Sequence, residues 1–147
     1  MKKIRWIIIC ISCVIFLGSC QTNSVRYELM QDVSQIISIQ IAEGINERDA
    51  LEGNYDKLKV MVSIPKEQWE MFLAKFQTVP CSRYRNDPCQ SLEGNVIWIT
   101  YADGALELIG DSAAFYQGPK ENDSGDFLRY YFNLEQFNSL IGQYIKK

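Results

Sequence analysis

The chain has 147 residues, of which 47% are hydrophobic and 22% charged, a composition typical of a globular domain and not of a disordered segment. All 18 acidic residues follow residue 20, and only 12 of the 15 basic ones do, so the chain beyond its first 19 residues carries a formal charge of −6. An acidic surface disfavours nucleic-acid partners, which select basic patches. The absence of histidine removes the most common general base and the most common transition-metal ligand.

The first nineteen residues have the layout of a secretory signal peptide. Three cations within residues 1–5 precede a mostly apolar run, residues 6–17, which is followed by the small residues Gly18 and Ser19. The run is shorter than the roughly 20 residues that a membrane-spanning helix needs. We therefore expect residues 1–19 to be removed, with an uncleaved membrane anchor as the alternative.

The segment Leu17-Gly18-Ser19-Cys20 resembles a bacterial lipobox. The resemblance implies cleavage before Cys20 and attachment of diacylglyceryl to its thiol, with an acyl chain such as palmitate on the new amine. Two or more chains give stable membrane anchoring, and this covalent lipid is the only prosthetic group expected. Gln21 stands where an aspartate would resemble an inner-membrane retention signal, so we expect the outer membrane in a Gram-negative host. Residues 20–25 then form a lipidated tether, and residues 26–147 form a single extracytoplasmic domain.

The first half of this domain predicts two strands and a helix. Residues 34–42 and 58–64 alternate between apolar and polar side chains, which is typical of half-buried strands. The polar stretch 43–56 between them predicts a loop. A helix should begin at Pro65 and end before Pro80, because one face of it collects apolar residues at helical spacing: Trp69, Phe72, Leu73 and Phe76.

The second half predicts a hairpin, two further strands and a final helix. Asp103-Gly104 reads as a two-residue turn within residues 96–110, which would pair Ile99 with Leu108 and place their apolar neighbours on one face. Strands are predicted at residues 113–117 and 127–132. Asn133 and Gln136 resemble a capping box at the start of a helix that ends the chain, and Phe132 and Phe137 occupy the hydrophobic-staple positions on either side.

The element order ββαββββα predicts an α+β fold. Short hairpins favour an antiparallel sheet of about six strands. We expect both amphipathic helices to pack on the same face of this sheet, because each must bury its apolar side.

Cys81 and Cys89 are the only thiols left once Cys20 is lipidated and the leader is removed. An even pair in an exported protein predicts a disulfide. A metal site would need more ligands than this chain offers, and a redox-active pair usually has C-x-x-C spacing. We therefore expect a structural bond and no bound metal.

Two surfaces are candidates for binding. The loop between the two cysteines carries Arg83, Tyr84 and Arg85, residue types enriched at binding hot spots, on a constrained segment. The late strands carry aromatic residues, including Tyr116 and Tyr130, and helices on one side of the sheet would leave one set exposed. The alternatives are a solvated loop with paired arginines and aromatic residues that fill the core.

No catalytic motif is present. The chain lacks the nucleophile-elbow, zincin and phosphate-loop patterns, and Asp103 near Glu107 is explained by the turn. We therefore expect a non-enzymatic interaction module in the bacterial envelope, held to the membrane by its lipid and binding a protein or glycan there. An inhibitor or protective protein against an external enzyme is the narrower alternative, and a small envelope hydrolase is the contrasting one.

Overall fold

The computed structural model describes residues 25–83, 92–119, 125–128 and 130–145. Its centre is a six-stranded antiparallel sheet, as the sequence predicts. The strands of this sheet are β1 (Ile36–Glu43), β2 (Lys59–Ser63), β4 (Asn95–Tyr101), β5 (Leu106–Ile109), β6 (Ala114–Gln117) and β7 (Asp126–Leu128). Their spatial order is β2-β1-β4-β5-β6-β7.

The second sheet is small and pairs β3 (Cys81–Arg83) with β8 (Tyr130–Phe132). The continuous strand predicted at residues 127–132 is therefore wrong: its first part joins the main sheet beside β6, and its second part joins β3. Val25 extends the small sheet by donating its N–H to the Cys81 carbonyl over 2.9 Å.

Two amphipathic helices cover one face of the main sheet, which confirms that prediction. They are α2 (Trp69–Phe76) and α3 (Leu134–Ile145), and their apolar residues share one core cluster with β1 and β4. One half of the predicted capping box is present, because Asn133 Oδ1 accepts from the Gln136 N–H at 3.0 Å, whereas the Asn133 N–H donates to the Pro80 carbonyl at 2.8 Å. The staple is present too, with the Phe132 and Phe137 ring centroids 5.4 Å apart.

The opposite face of the sheet is also covered, in part by a segment predicted to be a loop. Within residues 43–56 lies a short helix, α1 (Glu47–Leu51), capped by Asn46, whose Oδ1 accepts from the Asp49 N–H at 2.9 Å. This helix is shorter than the window in which helical periodicity is readable. Its Ala50 packs into a second core cluster that also contains Phe115 on β6. The sheet is therefore buried on both sides around β5, whereas β2 at its edge is largely exposed.

The β4–β5 hairpin differs from its predicted register by one residue. Tyr101 N–H donates to the Ala105 carbonyl at 2.9 Å, which leaves a three-residue connection, and Gly104 there has a φ of +91°. This is the usual three-residue hairpin loop, a turn followed by a left-handed residue. Ile99 consequently lies opposite Glu107 and not opposite Leu108. A one-residue slip moves every side chain of β5 to the other face relative to β4.

Candidate functional site

Glu107 lies in the interior, on the face of the main sheet that the two long helices cover. It is 0% exposed and is the one charged side chain buried among the residues described. Ile99 stands opposite it on β4, and Tyr116 stands opposite it on β6. A buried carboxylate is costly unless hydrogen bonds replace its lost hydration, so its partners define the site.

Three donors satisfy the Glu107 carboxylate. The Tyr27 hydroxyl donates to Oε1, the Tyr101 hydroxyl donates to Oε2 at 2.5 Å, and the Met30 N–H reaches Oε2 at 3.3 Å. Tyr27 and Met30 belong to residues 25–32, which precede the first helical turn of the domain. The carboxylate therefore binds this N-terminal segment to the sheet.

The electrostatics of this cluster follow from its burial. Loss of hydration raises the pKa of Glu107, and the hydrogen bonds from Tyr101, Tyr27 and Met30 partly oppose that rise. Burial raises the pKa of Tyr27 and of Tyr101, and the nearby Glu107 charge adds to both shifts. Both phenols consequently remain protonated at neutral pH and act as permanent donors to the carboxylate.

Arg83 and Tyr130, two of the predicted binding residues, are in contact. They are cross-strand neighbours of β3 and β8, and the Arg83 guanidinium carbon lies 5.8 Å from the centroid of the Tyr130 ring. This distance is within the range of a cation–π interaction. On its inner side Tyr130 meets Tyr27 edge to face, with centroids 4.7 Å apart. Arg83 is exposed and Tyr130 is half-buried.

Tyr116 lies on the far side of the same cluster. It is half-buried, and its hydroxyl accepts from Gln31 Nε2 at 3.1 Å; the same amide donates to Asp103 at 2.9 Å. We call Arg83, Tyr130 and Tyr116 the tyrosine–arginine surface. Arg83 and the two tyrosines, which the sequence presents as parts of competing sites, thus adjoin one buried cluster that contains Tyr27 and Glu107.

The other predicted site residues are described only in part. Cys20, Tyr84, Arg85 and Cys89 lie outside the described residues. Cys81 is a buried thiol whose Sγ donates to the Val25 carbonyl at 3.0 Å, and burial raises its pKa. The disulfide between Cys81 and Cys89 stays a prediction.

Two surface grooves lie beside α2. One, of about 570 Å³, runs between this helix and the start of β1, with Val33, Trp69 and Leu73 among its lining residues. The other, of about 280 Å³, lies between α2 and α3. Glu107 lines neither groove.

The residues that sequence reasoning missed are Tyr27, Tyr101 and Glu107. The clue available was the single acidic residue within β5, between Leu106 and Leu108. With the predicted register, however, Glu107 would lie away from the face that holds Ile99. Asp103 is correctly explained by its turn, since its Oδ1 accepts from the Ala105 N–H at 2.9 Å.

Comparison with protein-family models, curated proteins and solved structures finds no match to this chain. Within the described ranges, no helix combines the length and apolar character needed to span a bilayer. The same ranges contain no cluster of three or more Cys, Asp or Glu side chains suited to a metal ion.

Proposed function

We propose that this protein is a bacterial lipoprotein whose extracytoplasmic domain binds a component of the cell envelope, a protein or a glycan. The anchoring half of the proposal rests on Leu17-Gly18-Ser19-Cys20 at the end of a signal-peptide pattern. The binding half rests on one observation, the tyrosine–arginine surface. Tyrosine and arginine are, with tryptophan, the side chains enriched at binding hot spots, and here they lie over a hydrogen-bonded cluster.

The burial and hydrogen bonding of Glu107 argue against a role for it in hydrolysis. A glycosidase-type reaction uses two carboxyl groups that reach substrate from either side. Here the carboxylate is 0% exposed, with two phenol hydroxyls and one backbone N–H directed at its oxygens. Those contacts explain Glu107 as a structural residue that holds the N-terminal segment.

Mass spectrometry of the mature N-terminus tests the anchoring. We expect Cys20 to be the first residue and to carry a diacylglyceryl group, and Cys20→Ser to remain unlipidated. An unmodified Cys20, or cleavage elsewhere, would contradict this half of the proposal.

Affinity capture from native membranes tests the binding. The lipidated protein is compared with Tyr116→Ala, and with Met71→Ala as a control for loss of an exposed side chain outside the proposed surface. We expect a partner that the wild type and the control retain and the Tyr116 variant loses, with all three equally folded by circular dichroism. A secreted enzyme as the partner would identify the inhibitor function. Equal capture by all three would exclude a contact at Tyr116.

A further inference from the structure

We call the edge of the small sheet that Val25 and β3 form the β3 edge. Along the chain, Val25 is the described residue nearest to Cys20. Val25 is bonded to Cys81 on that edge, and only residues 21–24 separate Val25 from Cys20. Five residues of a fully extended chain advance by at most about 3.6 Å each, so the two α-carbons lie within about 18 Å of each other. Because acyl chains would hold Cys20 at the bilayer surface, this edge would be membrane-proximal. The inference therefore rests on the lipidation in the proposed function.

Two exposed arginines lie at this edge, although the domain as a whole is acidic. Arg83 belongs to β3, and Arg26 follows Val25, which is 37% exposed. Among the described residues, neither arginine forms an ion pair. Arginine binds phosphate through a planar, bidentate fork, and a tyrosine such as Tyr130 suits the boundary between headgroups and water.

We propose that Arg26 and Arg83 contact the lipid phosphates of the membrane in which Cys20 is anchored. The β3 edge then faces the bilayer, and α1 faces away from it. The observations favour lipid over a protein at this edge, since a tether this short leaves little room for a folded partner between them. Arg83 and Tyr130 then lie at the membrane, and the partner of the proposed function would bind at the Tyr116 end of the surface, near the β4–β5 turn.

Paramagnetic relaxation tests this orientation on the native lipidated protein. The protein is placed in nanodiscs of phosphatidylethanolamine and phosphatidylglycerol that contain a gadolinium-chelating lipid, and amide proton relaxation is measured by NMR. The β3 edge and α1 pack on opposite faces of the main sheet. The main sheet therefore lies between them, with a layer spacing of about 10 Å on each side. We expect relaxation several times larger for amides of β3 and β8 than for amides of α1.

Two variants separate lipid contact from simple tethering. A flexible insertion between Thr22 and Asn23 lengthens the tether, and we expect the contrast between β3 and α1 to persist. Arg26→Ala with Arg83→Ala should abolish that contrast in the lengthened protein. Lys66→Ala with Lys75→Ala, which removes the same charge from exposed positions on or beside α2, should not.

The outcomes distinguish this inference from the proposal beneath it. Uniform relaxation in a protein whose Cys20 is diacylated by mass spectrometry overturns the orientation and leaves the anchoring intact. A contrast that vanishes whenever the tether is lengthened shows tethering alone and overturns the phosphate contact. An unmodified Cys20 overturns both.

Discussion

The Tyr27 hydroxyl donates a hydrogen bond to the Glu107 carboxylate, joining residues 80 positions apart in the chain. This bond, the Met30 contact to the same carboxylate and the Val25 bridge to Cys81 hold the N-terminal segment against the sheet. The segment is therefore part of the folded domain and begins five residues after Cys20. The stability of the cluster therefore determines how tightly residues 25–32, which follow the proposed anchor, are held against the sheet.

Tyr27→Phe should destabilise the domain by about 1.5–3 kcal/mol, because it removes one donor from a buried carboxylate. Tyr55→Phe is the matched control, since the half-buried Tyr55 hydroxyl donates to the neutral Ala50 carbonyl at 3.2 Å, a bond worth about 1 kcal/mol. Urea unfolding measures both. Equal losses in the two variants would mean that the Glu107 contact carries no special weight.

Glu107→Gln should change how stability depends on pH. Burial raises the pKa of Glu107 in the folded state, so the folded protein holds this proton more tightly than the unfolded chain does. The contribution of Glu107 is then most favourable below its unfolded pKa of about 4.3 and declines as the pH rises through the folded value. We expect the variant to gain stability relative to wild type across that interval.

Asp103→Asn provides a control of opposite sign. The Ala105 N–H and Gln31 lower the pKa of Asp103, so its contribution is present above about pH 3.9 and is lost as the pH falls. Chemical denaturation between pH 3 and 8, referenced to wild type, measures both variants. A difference for Glu107→Gln that did not change with pH would contradict the assigned shift.

Asn133→Ala should lower the free energy of unfolding by about 0.5–2 kcal/mol, since it removes the side-chain cap of α3. Asn138→Ala makes the same chemical change at an exposed position inside the helix and should be neutral or slightly stabilising, because alanine is the better helix former. Thermal unfolding compares the pair. A loss of similar size in both would assign the effect to the asparagine side chain in general and not to the cap.

Substitution by alanine should change the stability of the domain in opposite directions at two glycines. A Cβ at Gly142, within α3, meets no heavy atom within 4 Å, so Gly142→Ala should stabilise by about 0.5–1 kcal/mol. A Cβ at Gly44 would lie 1.7 Å from the Leu92 carbonyl oxygen, so Gly44→Ala should destabilise severely or prevent folding. Expression level and melting temperature report both. A tolerated alanine at residue 44 would show that the Leu92 backbone moves.

Peptide mapping under non-reducing conditions should link Cys81 to Cys89 in protein purified from the envelope. A nine-residue loop closed by this bond would contribute roughly 2–3 kcal/mol in the chain-entropy model, so reduction should lower the melting temperature. Recovery of two alkylated thiols would reject the pairing and leave Cys81 as a buried thiol.

The sequence predicted the sheet, both long helices and the start of α3, because each has a local signal that tertiary contacts did not override. It failed at the register of the β4–β5 hairpin. Both faces of these strands are apolar, with Ile97 and Ile99 on one side and Leu106 and Leu108 on the other. Apolar residues of the two strands share a face in either register. That criterion therefore could not distinguish the correct register from the wrong one.

That single error concealed the central cluster. Glu107 appeared to face away from Ile99, and nothing in residues 25–32 indicated that Tyr27 would reach it, since the contact is non-local. Tyr116 and Tyr130 could be named as binding candidates because composition alone suggests aromatic binding residues, and their role in binding stays a prediction. Their common support required the three-dimensional structure.

The distant contacts of residues 25–32 have a consequence for the order of folding. Residues 25–32 are made before the strands of the domain, yet they pack on Glu107 in β5 and on Phe132 in β8, and β8 itself pairs with β3. During synthesis from the N-terminus, this segment has no complete docking surface until nearly the whole domain has emerged. Closing such distant contacts is entropically slow. Residues 25–32 are therefore expected to join the fold late, after the strands on which they pack.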